Sequence, residues 1–133
     1  MAATLAYLDS SALVKLVVRE AGTEALRAWL TGHPEVVSSA LAVTEVRRAI
    51  GRLSRRRSLS DRARLVLDGV ALLAVDASVL ESAAGLEPAE LRTLDAIHVA
   101  SALSLERDLG AFVTYDDRAA QAARKAGLPV ETP

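Results

Sequence analysis

Short apolar runs alternate with helix-like segments along this chain, and no two runs are joined by a hairpin turn. Strands without hairpins run parallel, and parallel strands need helical crossovers that cover both faces of the sheet. Residues 5–8 form the first run, ending at Asp9, and Asp9-Ser10-Ser11 opens a helix through about Arg19 that closes near Gly22. Residues 23–30 read as a second helix, broken by Gly32-His33-Pro34, and 35–38 as a second strand. One long helix is predicted over 41–57, and Ser58 and Ser60 offer N-caps for another through Leu67. A third strand over 72–75 ends at Asp76, and a short helix over 78–84 follows. A further helix, carrying Asp95, closes at Gly110; a strand over 111–115 ends at Asp116-Asp117. A last helix runs to Gly127, and 128–131 supplies a fifth strand. The expectation is an α/β fold with a parallel sheet of four or five strands, whose ligands bind beyond the carboxyl ends of the strands.

The 133 residues suit one domain spanning 1–133, and 51% apolar content makes it globular. No apolar run approaches the roughly 20 residues of a membrane span, and Met1-Ala2-Ala3-Thr4-Leu5 lacks the basic start of a signal peptide. The absence of cysteine excludes disulfides and thiolate metal sites, and points to a reducing cytoplasm.

Four carboxylates stand in unusual places. Residues 91–103 read as a helix that is apolar on nearly every side, where Leu91, Asp95, His98 and Ala102 fall within one arc. Asp95 therefore faces packing, which is costly for a lone charge; it is either the helix N-cap or part of a paired or metal-bound group. Glu45 falls within the stripe of Leu41, Ala42, Val46, Ala49 and Leu53, unless it pairs with Arg48 or reaches water. Asp9 and Asp116 end strands, where turn or cap roles compete with a site role. Two unit charges 4 Å apart repel by about 4 kcal/mol at an effective dielectric near 20, so a pocket of such groups needs protons or a cation. Oxygen ligands without cysteine, and without histidine at ligand spacing, select Mg²⁺ or Mn²⁺ over Zn²⁺. His98 reads as a core residue or one behind a ligand rather than a catalyst, and His33 lies far from it in sequence.

The blocks Tyr7-Leu8-Asp9-Ser10-Ser11-Ala12-Leu13, Ser38-Ser39-Ala40-Leu41-Ala42-Val43-Thr44-Glu45-Val46, Leu94-Asp95-Ala96-Ile97-His98-Val99-Ala100 and Val113-Thr114-Tyr115-Asp116 resemble the motif blocks of PIN-domain ribonucleases, in order and spacing. The chain is most similar to the VapC toxins of toxin–antitoxin pairs. The resemblance implies a three-layer α/β/α sandwich, Mg²⁺-dependent RNA cleavage, a VapB-type antitoxin, and a homodimer within the toxin–antitoxin complex. It implies that Asp9, Glu45, Asp95 and Asp116 are the catalytic, metal-site carboxylates, and it matches Thr114 to a small hydroxyl residue two places before the last acid. Strand parity puts Phe112, Thr114 and Asp116 on one side, which favours Asp116 for the site and Asp117 as helix cap or outer residue.

Between Arg47 and Arg64 there are eight arginines and one acid, Asp61. Arg48, Arg52, Arg55 and Arg56 share a face if the helix is continuous, and fit RNA phosphates, a solvated surface or an acidic partner. Few aromatics argue against a base-stacking platform. Leu13, Leu16, Val17, Leu26, Trp29 and Leu30 exceed what one covering layer needs, and are candidates for a groove that takes an antitoxin helix.

Other readings fit less well. An aspartyl-nucleophile phosphatase wants a second Asp where Ser11 stands. A phospho-acceptor receiver could use Asp76, but lacks the acidic pair and leaves Glu45 and Asp95 unexplained. A PIN fold used only for binding is the remaining alternative.

Overall fold

A computed structural model describes residues 3–133; Met1 and Ala2, where the sequence suggests no leader begins, lie outside the described residues. Five parallel strands form one sheet in the order β3-β2-β1-β4-β5. The strands are β1 (Leu5–Leu8), β2 (Val36–Ser39), β3 (Ala71–Leu73), β4 (Leu109–Val113) and β5 (Val130–Glu131). The helices are α1 (Ser10–Val17), α2 (Thr23–Leu30), α3 (Leu41–Leu53), α4 (Arg57–Asp68), α5 (Ala77–Ala84), α6 (Thr93–Leu103) and α7 (Asp117–Lys125).

The period of two along the strands sets the layers. Ala6 and Leu8 of β1, with Ala111 and Val113 of β4, pack on Leu13 and Val17 of α1, Leu26 of α2, Val46 and Ile50 of α3 and Leu67 of α4. Tyr7 and Phe112 point the other way, onto Val99 and Ala102 of α6 and Ala123 of α7. The α/β/α sandwich is thus the result of strands apolar on both faces. The large side chains Tyr7, Phe112, Leu8, Leu13 and Leu26 are all fully buried.

Helix starts are built in a repeating way. Asp9, Asp76 and Asp116 each leave a strand in extended conformation and accept a hydrogen bond from the backbone N–H three residues on, at Ala12, Val79 and Ala119. Each thereby satisfies an otherwise orphaned donor of α1, α5 or α7.

Several boundaries differ from the sequence reading. The predicted helix over 41–57 is two elements, because Ser54 is extended and its Oγ accepts from the Arg56 backbone N–H, turning the chain. Arg56 is the N-cap of α4, so Ser58 and Ser60 lie inside that helix rather than capping it. Arg55 and Arg56 consequently share no helix face with Arg48 and Arg52. Gly110 closes no helix; it lies inside β4, where the register with β1 shifts between Leu5 and Ala6. A Cβ at Gly110 would stand 2.9 Å from the Ala3 carbonyl oxygen, so glycine is required by a close backbone approach. Of the six apolar residues assigned to a partner groove, Leu13, Val17 and Leu26 are core, while Leu16, Trp29 and Leu30 are partly buried against it.

Candidate active site

β1 and β4 are central neighbours, and both end at the same edge of the sheet. Asp9 follows β1 and Asp116 lies three residues beyond β4. Glu45 comes from the second turn of α3 and Asp95 from the first turn of α6. All four, with Ser10, Ser11, Arg92 and Leu94, line one crevice of about 270 Å³. The structure therefore brings together the four acids singled out in the sequence. Asp76 caps α5 and is not part of this lining, which removes the receiver reading's acceptor.

Asp9 is the deepest, at 4% exposure. Its Oδ1 accepts from Ser11 Oγ at 2.6 Å and from the Ala12 N–H at 3.1 Å, and its Oδ2 accepts from Thr114 Oγ1 at 2.5 Å. Burial nevertheless pushes its pKa up, against the lowering effect of the Ser11 and Thr114 hydroxyls. Desolvation, rather than repulsion from the other carboxylates, is thus what strains this charge. Thr114 Oγ1 also accepts from the Asp116 N–H, tying the ends of β1 and β4 together through one hydroxyl.

Asp95 is not the cap of α6. That helix begins at Thr93, and Arg92 occupies the N-cap position without a side-chain cap bond. Asp95 instead turns into the crevice, where its Oδ2 accepts from Arg92 Nε at 3.1 Å. Asp116, not Asp117, caps α7; its Oδ1 takes the Ala119 N–H at 2.9 Å and its Oδ2 takes Arg92 Nη2 at the same distance. Strand parity does not place it, since β4 stops at Val113. Asp117 is the first residue of α7 and is absent from the crevice lining.

Glu45 is held from behind. His98, 1% exposed, donates from Nε2 to Glu45 Oε1 at 2.6 Å. A carboxylate only accepts, so Nε2 carries the proton, and the neutral ring then presents Nδ1 as an acceptor to the Tyr7 hydroxyl at 2.7 Å. Tyr7 stacks on Phe112 with centroids 5.4 Å apart, and its burial raises the phenol pKa so that the hydroxyl keeps its proton. The sequence marked His98 as buried but gave no sign of Tyr7, whose period-two position looks like ordinary core. Arg92 also went unnoticed as a site residue, although its place three residues before Asp95 on a helical segment is a signal for a pair.

The donor chemistry fits a hard divalent cation, being all oxygen and free of thiolate. As the side chains stand, no three carboxylates or imidazoles among the described residues converge tightly enough to hold one ion. Arg92 takes an oxygen of two of them, so a cation bound here must contend with that guanidinium.

Beyond the crevice, Arg48 and Arg52 line an adjoining cleft of about 440 Å³ that shares Ser10, Ser11, Glu45 and Leu94 with it. Arg48 also borders the groove between α3 and α4, about 460 Å³, with Arg47, Arg55 and Arg56. Among the described residues none of these five arginines has a carboxylate within 4 Å. A basic path thus leads away from the acidic crevice.

The PIN-domain family profile matches residues 6–125. The chain is 53% identical to ribonuclease VapC46 of Mycobacterium tuberculosis strain H37Rv over 128 residues, covering 96% of both chains. The chain belongs to the PIN-domain family and, within it, to the VapC-type ribonucleases. Ribonuclease VapC47 of M. tuberculosis strain CDC 1551 is 39% identical over 131 residues, again with 96% of each chain covered. Among solved structures, M. tuberculosis VapC20, described as a sarcin-ricin loop cleaving toxin, aligns with a TM-score of 0.72 at 21% identity, over 96% of this chain and 99% of that one. VapBC2 of Rickettsia felis, bound to a DNA fragment from their promoter, gives 0.73 at 11% identity, over 96% and 98%. At such identities these two bear on the fold alone, and they share the PIN sandwich. Among the described residues no helix is long and apolar enough to cross a membrane.

Proposed function

We propose that the protein is a Mg²⁺-dependent endoribonuclease, with Mn²⁺ as an alternative ion, and the toxin of a VapBC-type pair acting in the cytoplasm. The observation that carries this reading is the meeting of Asp9, Glu45, Asp95 and Asp116, from four separate elements, on one crevice at the carboxyl edge of the sheet. These four side chains are the candidate ligands, and the ion would supply an activated water and stabilise charge on the phosphoryl and leaving oxygens.

The chain's own contribution is to fix the donors. Ser11 and Thr114 hold Asp9 by both oxygens, His98 holds Glu45, and the cap bond to Ala119 holds Asp116. Preset donors lose little freedom when they engage a ligand. The arginines around the α3–α4 groove are suited to backbone phosphates, and Arg48 lines both that groove and the cleft beside the crevice.

The VapC-named relatives and the VapBC2 assembly support a VapB-type antitoxin partner; a homodimer of the toxin within that complex is part of the proposal. The decisive experiment is incubation of the purified, partner-free protein with total RNA and Mg²⁺, followed by mapping of cut ends. Defined new ends in the wild type that vanish in Asp95→Asn support the reading. Wild-type cutting by Asp95→Asn removes that residue from the site, and no metal-dependent ends at all overturns the function.

A further inference from the structure

Among the described residues Arg92 is the one basic side chain in the lining of the acidic crevice. Its position is poor for the helix it precedes. It occupies the N-cap of α6, makes no cap bond there, and puts a cation at the electropositive end of a helix dipole. The carboxylates account for it instead. Nε meets Asp95 Oδ2 at 3.1 Å and Nη2 meets Asp116 Oδ2 at 2.9 Å, so one guanidinium spans two elements of the crevice.

The oxygens it takes matter. Asp116 Oδ1 is committed to the Ala119 N–H, which leaves Oδ2 as the oxygen free to face a ligand. Arg92 and a divalent cation therefore want the same atom. The guanidinium has five N–H donors, of which these bonds use two, and its side chain is 62% exposed. The remaining donors belong to an exposed side chain of the crevice lining and are open to a phosphodiester that enters it.

We infer that Arg92 is the internal counter-cation of the crevice, which competes with the divalent ion for Asp95 and Asp116 and, once displaced, binds a phosphate oxygen of the RNA. The inference rests on the reading that the four carboxylates are the metal site of an RNA-cleaving enzyme. It makes Arg92 act with opposite sign on metal and on substrate, which a plain surface ion pair does not do.

Two measurements on the full chain test it. Mn²⁺ binding, read from the EPR signal of the free ion, is compared among wild type, Asp9→Asn, Arg92→Ala and Arg92→Lys. Cleavage of total RNA is then compared at saturating Mn²⁺. Arg92→Ala is expected to bind Mn²⁺ about three- to tenfold more tightly, the effect of removing one partly screened positive charge. It is expected to cut RNA at least tenfold more slowly even when saturated. Arg92→Lys restores the charge without the fork, so its Mn²⁺ affinity returns toward wild type while cleavage recovers only in part. Unchanged or weaker Mn²⁺ binding by Arg92→Ala overturns the competition, and wild-type cleavage at saturating Mn²⁺ overturns the phosphate role. A wild type with no Mn²⁺ binding that Asp9→Asn removes would instead sink the metal-site reading, and this inference with it.

Discussion

Tyr7 and His98 are 91 residues apart in sequence and share a buried hydrogen bond of 2.7 Å, behind the crevice rather than in it. The bond decides which nitrogen of His98 faces Glu45. With the Tyr7 hydroxyl donating to Nδ1, Nε2 must be the donor, and Glu45 receives it at 2.6 Å. A phenol in the sheet core thus orients a carboxylate of the crevice through one imidazole, the arrangement by which ligands are commonly held from behind.

His98→Gln and His98→Leu separate this role from packing. Glutamine can place an amide N–H where Nε2 was, and leucine cannot. Both leave the buried Tyr7 hydroxyl without its acceptor, so both should lose about 1–3 kcal/mol in urea unfolding. Only leucine should lose about 10–100-fold in cleavage. Equal losses of activity in the two variants would mean that His98 only fills space.

Asp9→Asn should abolish cleavage and remove the part of the fold's pH dependence that the Asp9 carboxyl imposes. A carboxyl whose pKa is raised on folding binds more protons in the native state than in the unfolded one, so wild-type stability falls as pH rises from the unfolded value of 3.8 through the higher native value. The amide has no such loss, and each unit of the upward shift is worth about 1.4 kcal/mol. Urea midpoints of the two proteins should diverge as pH climbs above 4 and run parallel once Asp9 is ionised in both states. A wild type that gains on the variant over that range would reverse the sign of the argument.

The strand order of events along the chain was legible because hydrophobic period and helix punctuation are local. Glu45 and Asp95 were legible because a carboxylate is conspicuous on an apolar helix face, and Asp9 and Asp116 because they follow apolar strand runs. What escaped was set by contacts across the fold. Gly110 looks like a helix stop until β1 is laid beside it, with the Ala3 carbonyl 2.9 Å from where a Cβ would be. Ser54 breaks the long helix with a side-chain bond that competes with the helical ladder, inside a run of good helix formers. Asp116 reached the crevice as a cap rather than by strand parity, and the contact of Arg92 with Asp116, 24 residues on, had no local signal beside its i,i+3 pairing with Asp95.

Arg52→Ala, Arg55→Ala and Arg56→Ala together should weaken RNA binding and flatten its salt dependence. The helix break puts Arg52 in the cleft next to Glu45 and the other two at the α3–α4 groove, so the three sample the path at separate points. Each lost phosphate contact should lower the slope of log affinity against log salt by about 0.7 for a single strand. Binding measured by fluorescence anisotropy in the absence of divalent ions checks this without cleavage. An unchanged slope would assign these arginines to a protein partner or to solubility.

The antitoxin should meet less of α1 and α2 than their composition suggests. Leu13, Val17 and Leu26 are spent in the core, which leaves the partly buried Leu16, Trp29 and Leu30 as the apolar strip available to an amphipathic helix. Trp29 is already steadied by His33, stacked on it at 3.7 Å, and a rigid aromatic is a good anchor. An Arg from the partner's tail that reaches the acidic crevice meets Arg92 on Asp95 and Asp116 and finds both Asp9 oxygens already hydrogen-bonded, which leaves Glu45 as its target. Co-expression with the neighbouring small open reading frame should give a co-purifying complex that cuts RNA far more slowly than the free protein. Trp29→Ala should weaken that complex by about tenfold or more. Thermal unfolding of the free variant checks that its fold survives, and Leu16→Glu provides a second disruption on the same strip. A complex that resists both substitutions places the partner elsewhere; a pair that fails to co-purify, or that cuts RNA as fast as the free protein, removes the toxin role while leaving the nuclease intact.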